Sequence, residues 1–369
     1  MMAIFTDVFE DVTKQGRKIP TSDYHETGVH PIIDQGQSAI AGYTDETDGL
    51  FTDVPAIIFG DHTRVLKYVD TPCFLGADGV KLLKTKIANP NYKYLYYVLS
   101  SANIPNTGYN RHFKWLKEVN IPLPNVDEQQ KIVDTLDKIG ELIALRKEQI
   151  AKLDRLVKSR FIELFGDPVQ NHMGWKTVSL KSATNKIGSG ATPKGGKESY
   201  QAEGITLIRS MNVHDGRFEY KDLAHITDEQ AKQLENVTVE ENDVFINITG
   251  ASVARSCIVP NHILPARVNQ HVAIIRCITS MLNPVFANQM FLNTSFKGQL
   301  LDIGESGGAT RQAITKQQLE TLEVILPPLE LQEQFVSFVE QTEKSKLAIQ
   351  QSLDKLELLK KSLMQEYFG

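Results

Sequence analysis

The chain has 369 residues, 41% of them hydrophobic and 23% charged, with a formal net charge of −5. This is the composition of an ordinary globular protein, long enough for two domains or more. It excludes a disulfide framework and a cysteine zinc site, because Cys73, Cys257 and Cys277 form no C-x-x-C pair. No apolar run approaches the roughly 20 residues of a membrane helix. Met1 to Asp7 carries no basic stretch before an apolar run, so no signal peptide is expected and a cytoplasmic location is the default. No segment is a polycation, so any grip on nucleic acid must be local or shared with a partner.

In chain order, a first globular stretch holds short β-branched and aromatic runs bounded by Gly, Pro, Asn and Asp, which predict mainly strand. A helix is expected from Tyr92 to Ser101. A long helix follows from about Asp127 to Phe165, with no internal Pro. Pro122-Leu123-Pro124 precedes it, and Asn125-Val126-Asp127-Glu128 resembles a capping box. Gly166-Asp167-Pro168 stops it. A second strand-rich stretch follows, with a helix expected from Pro284 to Leu301, and then a second long helix from about Glu330 to Phe368.

The apolar spacing in the long helices is that of a heptad seam. Ile132, Leu136, Ile139, Ile143, Ile150, Leu153, Val157 and Leu164 follow alternating steps of four and three, with Arg146 and Arg160 in the gaps. Phe335, Val339, Thr342, Ile349, Leu353, Leu356, Leu363 and Tyr367 repeat it, with Lys346 and Lys360 in the gaps. Two helices packed on separate cores would also be amphipathic, but a seam this long and this well matched favours mutual pairing.

The chain is also an internal repeat. The two helices align without a gap: Leu123-Pro124 falls on Leu326-Pro327, Lys152-Leu153 on Lys355-Leu356, and Phe165-Gly166 on Phe368-Gly369. Upstream, Tyr24-x-x-x-Gly28-Val29-x-x-Ile32 answers Tyr200-x-x-x-Gly204-Ile205-x-x-Ile208. Asp53, the strand Ala56-Ile57-Ile58-Phe59 and Gly60 answer Asp243, Val244-Phe245-Ile246-Asn247-Ile248 and Gly250. If the helices pair antiparallel, a pseudo-twofold axis places one globe at each end. About 38 residues span roughly 57 Å, ample for two readers on major grooves about 34–36 Å apart.

Enzyme motifs are missing. The nearest match to a P-loop, Ala191 to Glu198, fails at the first Gly and at the final Ser/Thr. There is no G-x-G-x-x-G opening a helix, no H-E-x-x-H, no G-x-S-x-G and no Asn- or Asp-Pro-Pro-aromatic tetrapeptide. His25/His30 and His262/His271 lack ligand spacing.

Base reading needs forked or amide side chains, and phosphate gripping needs cations, hydroxyls and exposed amides. The first half offers His62, Thr63, Arg64 and Lys67 just past a predicted strand. Arg111, His112 and Lys114 lie in a basic and aromatic run. The second half offers Thr192 and Lys194, then Arg209 and Asn212, Thr249 with Arg255, and Thr310, Arg311 and Gln312. The competing reading of each segment is a solvated loop. Trp115 fits a core better than a base stack. Asn269-Gln270-His271 fits a structural hydrogen-bond cluster as well as a base reader.

These features together resemble the specificity subunit of type I restriction–modification systems. The likeness rests on Gly190-Ala191-Thr192-Pro193, Asn242-Asp243-Val244, Asn269-Gln270, Gly308-Ala309-Thr310-Arg311 and Leu326-Pro327-Pro328-Leu329 in the second half. In the first half it rests on Gly28 to Ile33, Ile57 to Thr63, and Ile121-Pro122-Leu123-Pro124 with Glu128-Gln129. Asn125 stands where the second repeat has a proline, and Leu331 where the first has Glu128.

The resemblance implies an α+β fold: two mixed, mainly β target-recognition domains joined by two long helices that form an antiparallel coiled coil. The expected divisions are residues 1–120, 121–168, 169–324 and 325–369. It implies a non-catalytic chain that reads a bipartite, asymmetric double-stranded DNA target with a fixed, unread spacer. Two modification subunits would dock on it, carry S-adenosylmethionine and methylate adenine. Restriction subunits with ATP-driven motors, using ATP and Mg, would join them, and this chain would hold no cofactor and touch no membrane. The alternative is a protein–protein scaffold that dimerises through its coil and has no DNA role.

Overall fold

A computed structural model describes residues 1–76, 79–305 and 312–369, apart from the side chain of Lys197. The chain forms two compact units, residues 1–148 with 350–369, and residues 149–349. Each unit therefore owns the start of one long helix and the end of the other.

The first unit runs β1 (Met2–Ile4), α1 (Phe5–Val8), β2 (Phe9–Asp11), β3 (His30–Ile33), β4 (Gly42–Thr44), β5 (Ala56–Gly60), β6 (Leu66–Val69), β7 (Phe74–Leu75) and β8 (Val80–Thr85). Helices α2 (Tyr92–Ser101) and α3 (Phe113–Leu116) and strand β9 (Asn120–Pro122) follow, and then the long helix α4 (Val126–Phe165) begins. The second unit runs β10 (Thr177–Ser179), β11 (Thr184–Ser189), β12 (Ile205–Ile208), β13 (Val213–His214), β14 (Arg217–Phe218), β15 (Ala224–Ile226) and α5 (Asp228–Gln233). It continues with β16 (Val244–Asn247), β17 (Ser256–Ile258), β18 (Ala266–Val268) and β19 (Val272–Cys277). Helices α6 (Pro284–Leu292), α7 (Thr294–Glu305) and α8 (Lys316–Thr321), strand β20 (Glu323–Ile325) and the long helix α9 (Leu329–Phe368) complete the chain.

The repeat read from the sequence is a repeat of topology. A four-stranded antiparallel sheet has the order β2-β8-β5-β6 in the first unit and β11-β19-β16-β17 in the second. A three-stranded sheet is β4-β3-β7 in one and β15-β12-β18 in the other. In both, the central strand has one antiparallel and one parallel neighbour. A two-stranded ribbon, β1-β9 or β10-β20, ties the start of each globe to the stretch entering its long helix. The second unit adds the β13-β14 hairpin and α5.

Two polar details repeat with the topology. Asp53 and Asp243 each bind the cation of the strand beside them. Lys84 Nζ lies 2.9 Å from Asp53 Oδ1. The Arg276 guanidinium donates to Asp243 Oδ1 at 2.8 Å and Oδ2 at 2.9 Å. Asp243 is fully buried, whereas the Asp53 side chain is 66% exposed. The glutamines opening the long helices also match: Gln129 Nε2 donates to the Pro124 carbonyl at 2.9 Å, and Gln332 Nε2 to the Pro327 carbonyl at 2.9 Å. Asn125, the departure noted in the sequence, caps α4 by accepting from Glu128 N at 2.9 Å. Gly166, at φ +72°, ends α4 in the left-handed region that a side chain disfavours.

The seam is real within each unit. In the first, Ile132, Val133 and Leu136 of α4 join one core with Leu363, Met364 and Tyr367 of α9. Lys147 pairs with Glu357 at 2.8 Å. In the second, Val157, Phe161 and Phe165 join a core with Phe335, Val336 and Val339, and Lys346 pairs with Asp154 at 2.8 Å. Within each unit the partner position on α9 falls as the position on α4 rises, so the two helices run antiparallel. At the end of α4, Phe161 and Phe165 turn inward, one position past the expected Arg160 and Leu164. A straight helix drifts about 20° per heptad from a 3.5-residue repeat, and here the drift swings the rings onto Phe286 and Phe335.

One expected helix is two. The run from Pro284 to Leu301 breaks at Asn293, whose backbone is extended at ψ 140°. Its side chain accepts from Ser295 N at 3.0 Å and so starts α7. No helix among the described residues is long and apolar enough to cross a membrane. The cysteines are free and buried; burial pushes the Cys73 thiol up to about 11 and those of Cys257 and Cys277 to about 12.

Asp243→Asn should lower unfolding stability by about 2–3 kcal/mol, because it removes a buried carboxylate from the Arg276 guanidinium and leaves that cation only Glu240 and the Thr238 carbonyl. Asp53→Asn should cost about 1 kcal/mol or less, because its pair is open to water. Urea midpoints measure both; equal losses would contradict this contrast.

Candidate nucleic-acid interface

In each unit, loops gather around the hairpin at the end of the four-stranded sheet. The first hairpin joins β5 to β6. Gly60 N donates to the Val65 carbonyl at 2.8 Å and Arg64 N to the Gly60 carbonyl at 2.7 Å. Arg64 closes the turn at φ 64°, a conformation L-residues rarely adopt. The loop after β3 grips this turn. Thr63 Oγ1 donates to the Gln35 carbonyl at 2.6 Å, and His62 N donates to Gln35 Oε1 at 3.2 Å. The segment before α3 grips it from another side. His112 N donates to the Asp61 carbonyl at 2.8 Å, and Phe113 N to Asp61 Oδ1 at 2.7 Å. His62 stacks on Tyr109 with ring centroids 4.7 Å apart, and Tyr109 is 88% exposed.

The second hairpin joins β16 to β17 and closes on Ala254, also at φ 64°. Asn247 takes the place of Gly60 here, not Gly250: Asn247 N donates to the Arg255 carbonyl at 2.9 Å and Ala254 N to the Asn247 carbonyl at 2.9 Å. Gly250 N donates to the Gln312 carbonyl at 2.9 Å, and Thr249 bridges Ala313. Gly190 passes so close to β18 that a Cβ there would lie 1.8 Å from the Val268 carbonyl oxygen. That approach brings Thr192 Oγ1 onto Gln270 Oε1. Gln270 Nε2 meets His271 Nε2 at 3.1 Å, and His271 Nδ1 meets Thr249 Oγ1.

Three expected contact residues are scaffold instead. Lys67 is 8% exposed and gives its ammonium to the Ser38 carbonyl at 2.6 Å and Asp34 at 3.3 Å. His112 is wholly buried, and its Nδ1 lies 3.0 Å from the Asp61 carbonyl. Asn212 is wholly buried; it donates to the Glu219 carbonyl at 2.9 Å and accepts from Arg209 N at 3.1 Å. His112 and Asn212 have no accessible surface to offer a base or phosphate, and the Lys67 ammonium is already held by Ser38 and Asp34. Lys67 lies within β6 on the buried face of the strand, and His112 and Asn212 lie in short turns, where sequence alone does not separate buried from exposed polar side chains.

The others stay nearer the surface. Arg111, Lys114, Thr192 and Lys194 are exposed. Lys114 lies 4.8 Å over the half-buried Trp115 ring. Arg64 donates to the Ile104 carbonyl at 3.1 Å. Arg209 lies 5.4 Å over Tyr200 and donates to the Asp222 carbonyl. Arg255 is half-buried, and Gln312 donates to Glu305 at 2.6 Å. Thr310 and Arg311 lie outside the described residues. The structure brings His62, Thr63 and Arg64 together in one unit, and Thr192 and Thr249 in the other through Gln270 and His271. Sequence reading placed Tyr109 in the basic and aromatic run but left Gln35 out of the site; the only signal of Gln35 was an amide beside Gly36. No group of three His, Cys, Asp or Glu among the described residues could hold a metal ion.

The family model of the type I restriction modification DNA specificity domain matches residues 5–155 and 173–358. The chain belongs to that family. It is 23% identical over 342 residues to a type I restriction enzyme specificity subunit of Escherichia coli, covering 87% of this chain and 81% of that one. It is 26% identical over 234 residues to a putative specificity subunit of Methanocaldococcus jannaschii, covering 59% and 51%. Its fold is similar to the crystal structure of the S subunit of a type I restriction–modification system from M. genitalium, with a TM-score of 0.62 at 16% identity over 100% of this chain and 96% of that one. A chain from a type I system studied for complex assembly and conformational transition gives a TM-score of 0.54 at 18% identity, over 100% and 97%. Family membership makes this a specificity chain without catalysis of its own.

Arg111→Ala and Lys114→Ala should leave the melting temperature unchanged, and each substitution should reduce the salt slope of DNA binding by about one, through loss of a phosphate contact. Lys67→Ala and His112→Ala should lower the melting temperature. A stable, well-folded Lys67→Ala chain with a reduced salt slope would return Lys67 to the interface.

Proposed function

We propose that this chain is the DNA-reading subunit of a type I restriction–modification complex, with each unit reading one half of a split, asymmetric double-stranded target. The observation that carries the reading is the same loop cluster built twice, on equivalent hairpins, with different residues in it. The first hairpin loop is short and carries His62 against Tyr109. The second is longer and carries Thr249 against His271. Equal scaffolds with unlike loops suit two readers of unlike sequences.

Two modification subunits would dock on this chain, bring S-adenosylmethionine and methylate adenine. Restriction subunits would supply the ATP- and Mg-dependent motor. This chain's own residues would supply only position and sequence preference.

The long helices would serve as the ruler between half-sites. Each is 40 residues, about 60 Å at 1.5 Å per residue. Adding seven residues to both helices, in register with the seam, should lengthen the tolerated spacer by about three base pairs, since about 10 Å of added helix spans that much duplex. Binding to duplexes of graded spacer length, in the complex with the modification partner, measures this. Altered half-site bases at an unaltered spacer would contradict the ruler.

A further inference from the structure

The network around Gln270 joins two segments that carry the family likeness, Gly190 to Pro193 and Asn269-Gln270, and the likeness by itself gives these side chains no role. Gln270 is exposed, yet its amide is tethered at both ends. Thr192 Oγ1 bonds its oxygen, and His271 Nε2 lies 3.1 Å from its nitrogen. His271 is held in turn by Thr249 Oγ1 and, at its backbone N, by Asn269 Oδ1 at 3.0 Å. The tether spans three loops, and Gly190 makes room for it.

An amide offers two N–H donors and two lone pairs. Thr192 uses one lone pair and His271 one N–H. The amide sets the sense of the chain: Thr192 donates to its oxygen, its N–H donates to His271 Nε2, and the His271 Nδ1–H donates to Thr249 Oγ1. Among the described residues, one N–H and one lone pair of Gln270 then have no partner. An ordinary exposed glutamine loses rotamer entropy when it binds; this one has already been ordered by the fold.

From this geometry we infer that Gln270 is an adenine-reading residue of the second unit. Adenine alone presents an acceptor and a donor side by side in the major groove, N7 and the N6 amino group, which match a free amide N–H and lone pair. Guanine presents two acceptors there, and would leave the amide oxygen facing another oxygen. Cytosine offers only its amino donor, and thymine only an acceptor beside a methyl group. A phosphate offers acceptors alone, so it too would leave the lone pair unmatched.

The inference rests on the DNA-reading function proposed above and deepens it. The full chain with its modification partner should be tested against duplexes carrying each of the four base pairs at every position of the second half-site. The wild type should prefer adenine at one position by roughly tenfold to a hundredfold. Gln270→Ala should abolish that preference there and leave every other position unchanged. Gln270→Glu, which exchanges the N–H for an acceptor, should favour cytosine at the same position. An unchanged preference pattern would overturn the inference, as would a uniform loss of affinity across all sequences. Unfolding of both variants would make Gln270 a structural residue and would also overturn it. If instead the wild-type complex reads no split target at all, the failure belongs to the proposed function.

Discussion

Neither globular unit closes its core with its own strands alone. The first needs Ile132 and Leu136 from the start of α4 and Leu363 and Met364 from the end of α9. The second needs Phe161 and Phe165 from the end of α4 and Phe335 and Val339 from the start of α9. Both helices therefore belong to both units, and the antiparallel seam is where that constraint is met. Burial opposes the charge on the seam residue Lys346, yet bonds to Asp154 at 2.8 Å and Glu343 at 3.0 Å hold its pKa above the ordinary lysine value. A cation held this way favours one register of the seam over its neighbours.

That constraint explains which parts of the two repeats stayed alike. The helix openings, with Gln129 on Pro124 and Gln332 on Pro327, are bound to the seam. The Asp53–Lys84 and Asp243–Arg276 pairs tie the hairpin strand to its neighbour. The left-handed residue closing each hairpin, Arg64 or Ala254, sets where the loop returns to the sheet. Between these fixed points the loops differ in length, composition and bonding. A scaffold held at its base by packed helices leaves its tips free to change without loss of stability.

Much of this was legible in the sequence because it is periodic. A heptad seam and a gapless repeat need only spacing to be seen, and Asn125 and Gly166 mark the ends of α4 by ordinary capping chemistry. The site was less legible because contact and burial leave no periodic trace in a loop. Lys67 and His112 have the chemistry of DNA contacts, but Asp34 and Asp61, distant in sequence, claim them for the scaffold. Gln270 showed the opposite: its amide stood beside a strand, and only the approach of Thr192 and His271 revealed an ordered, half-used donor and acceptor.

The central claim is that one chain carries two different readers on a shared pair of helices. Base-resolved mapping of methylated adenine, with this chain co-expressed with its modification partner, tests it most directly. The account predicts one split motif whose two halves differ and whose spacer has a constant length and no preferred bases. A continuous motif, a pair of identical half-sites, or no methylation dependent on this chain would contradict it.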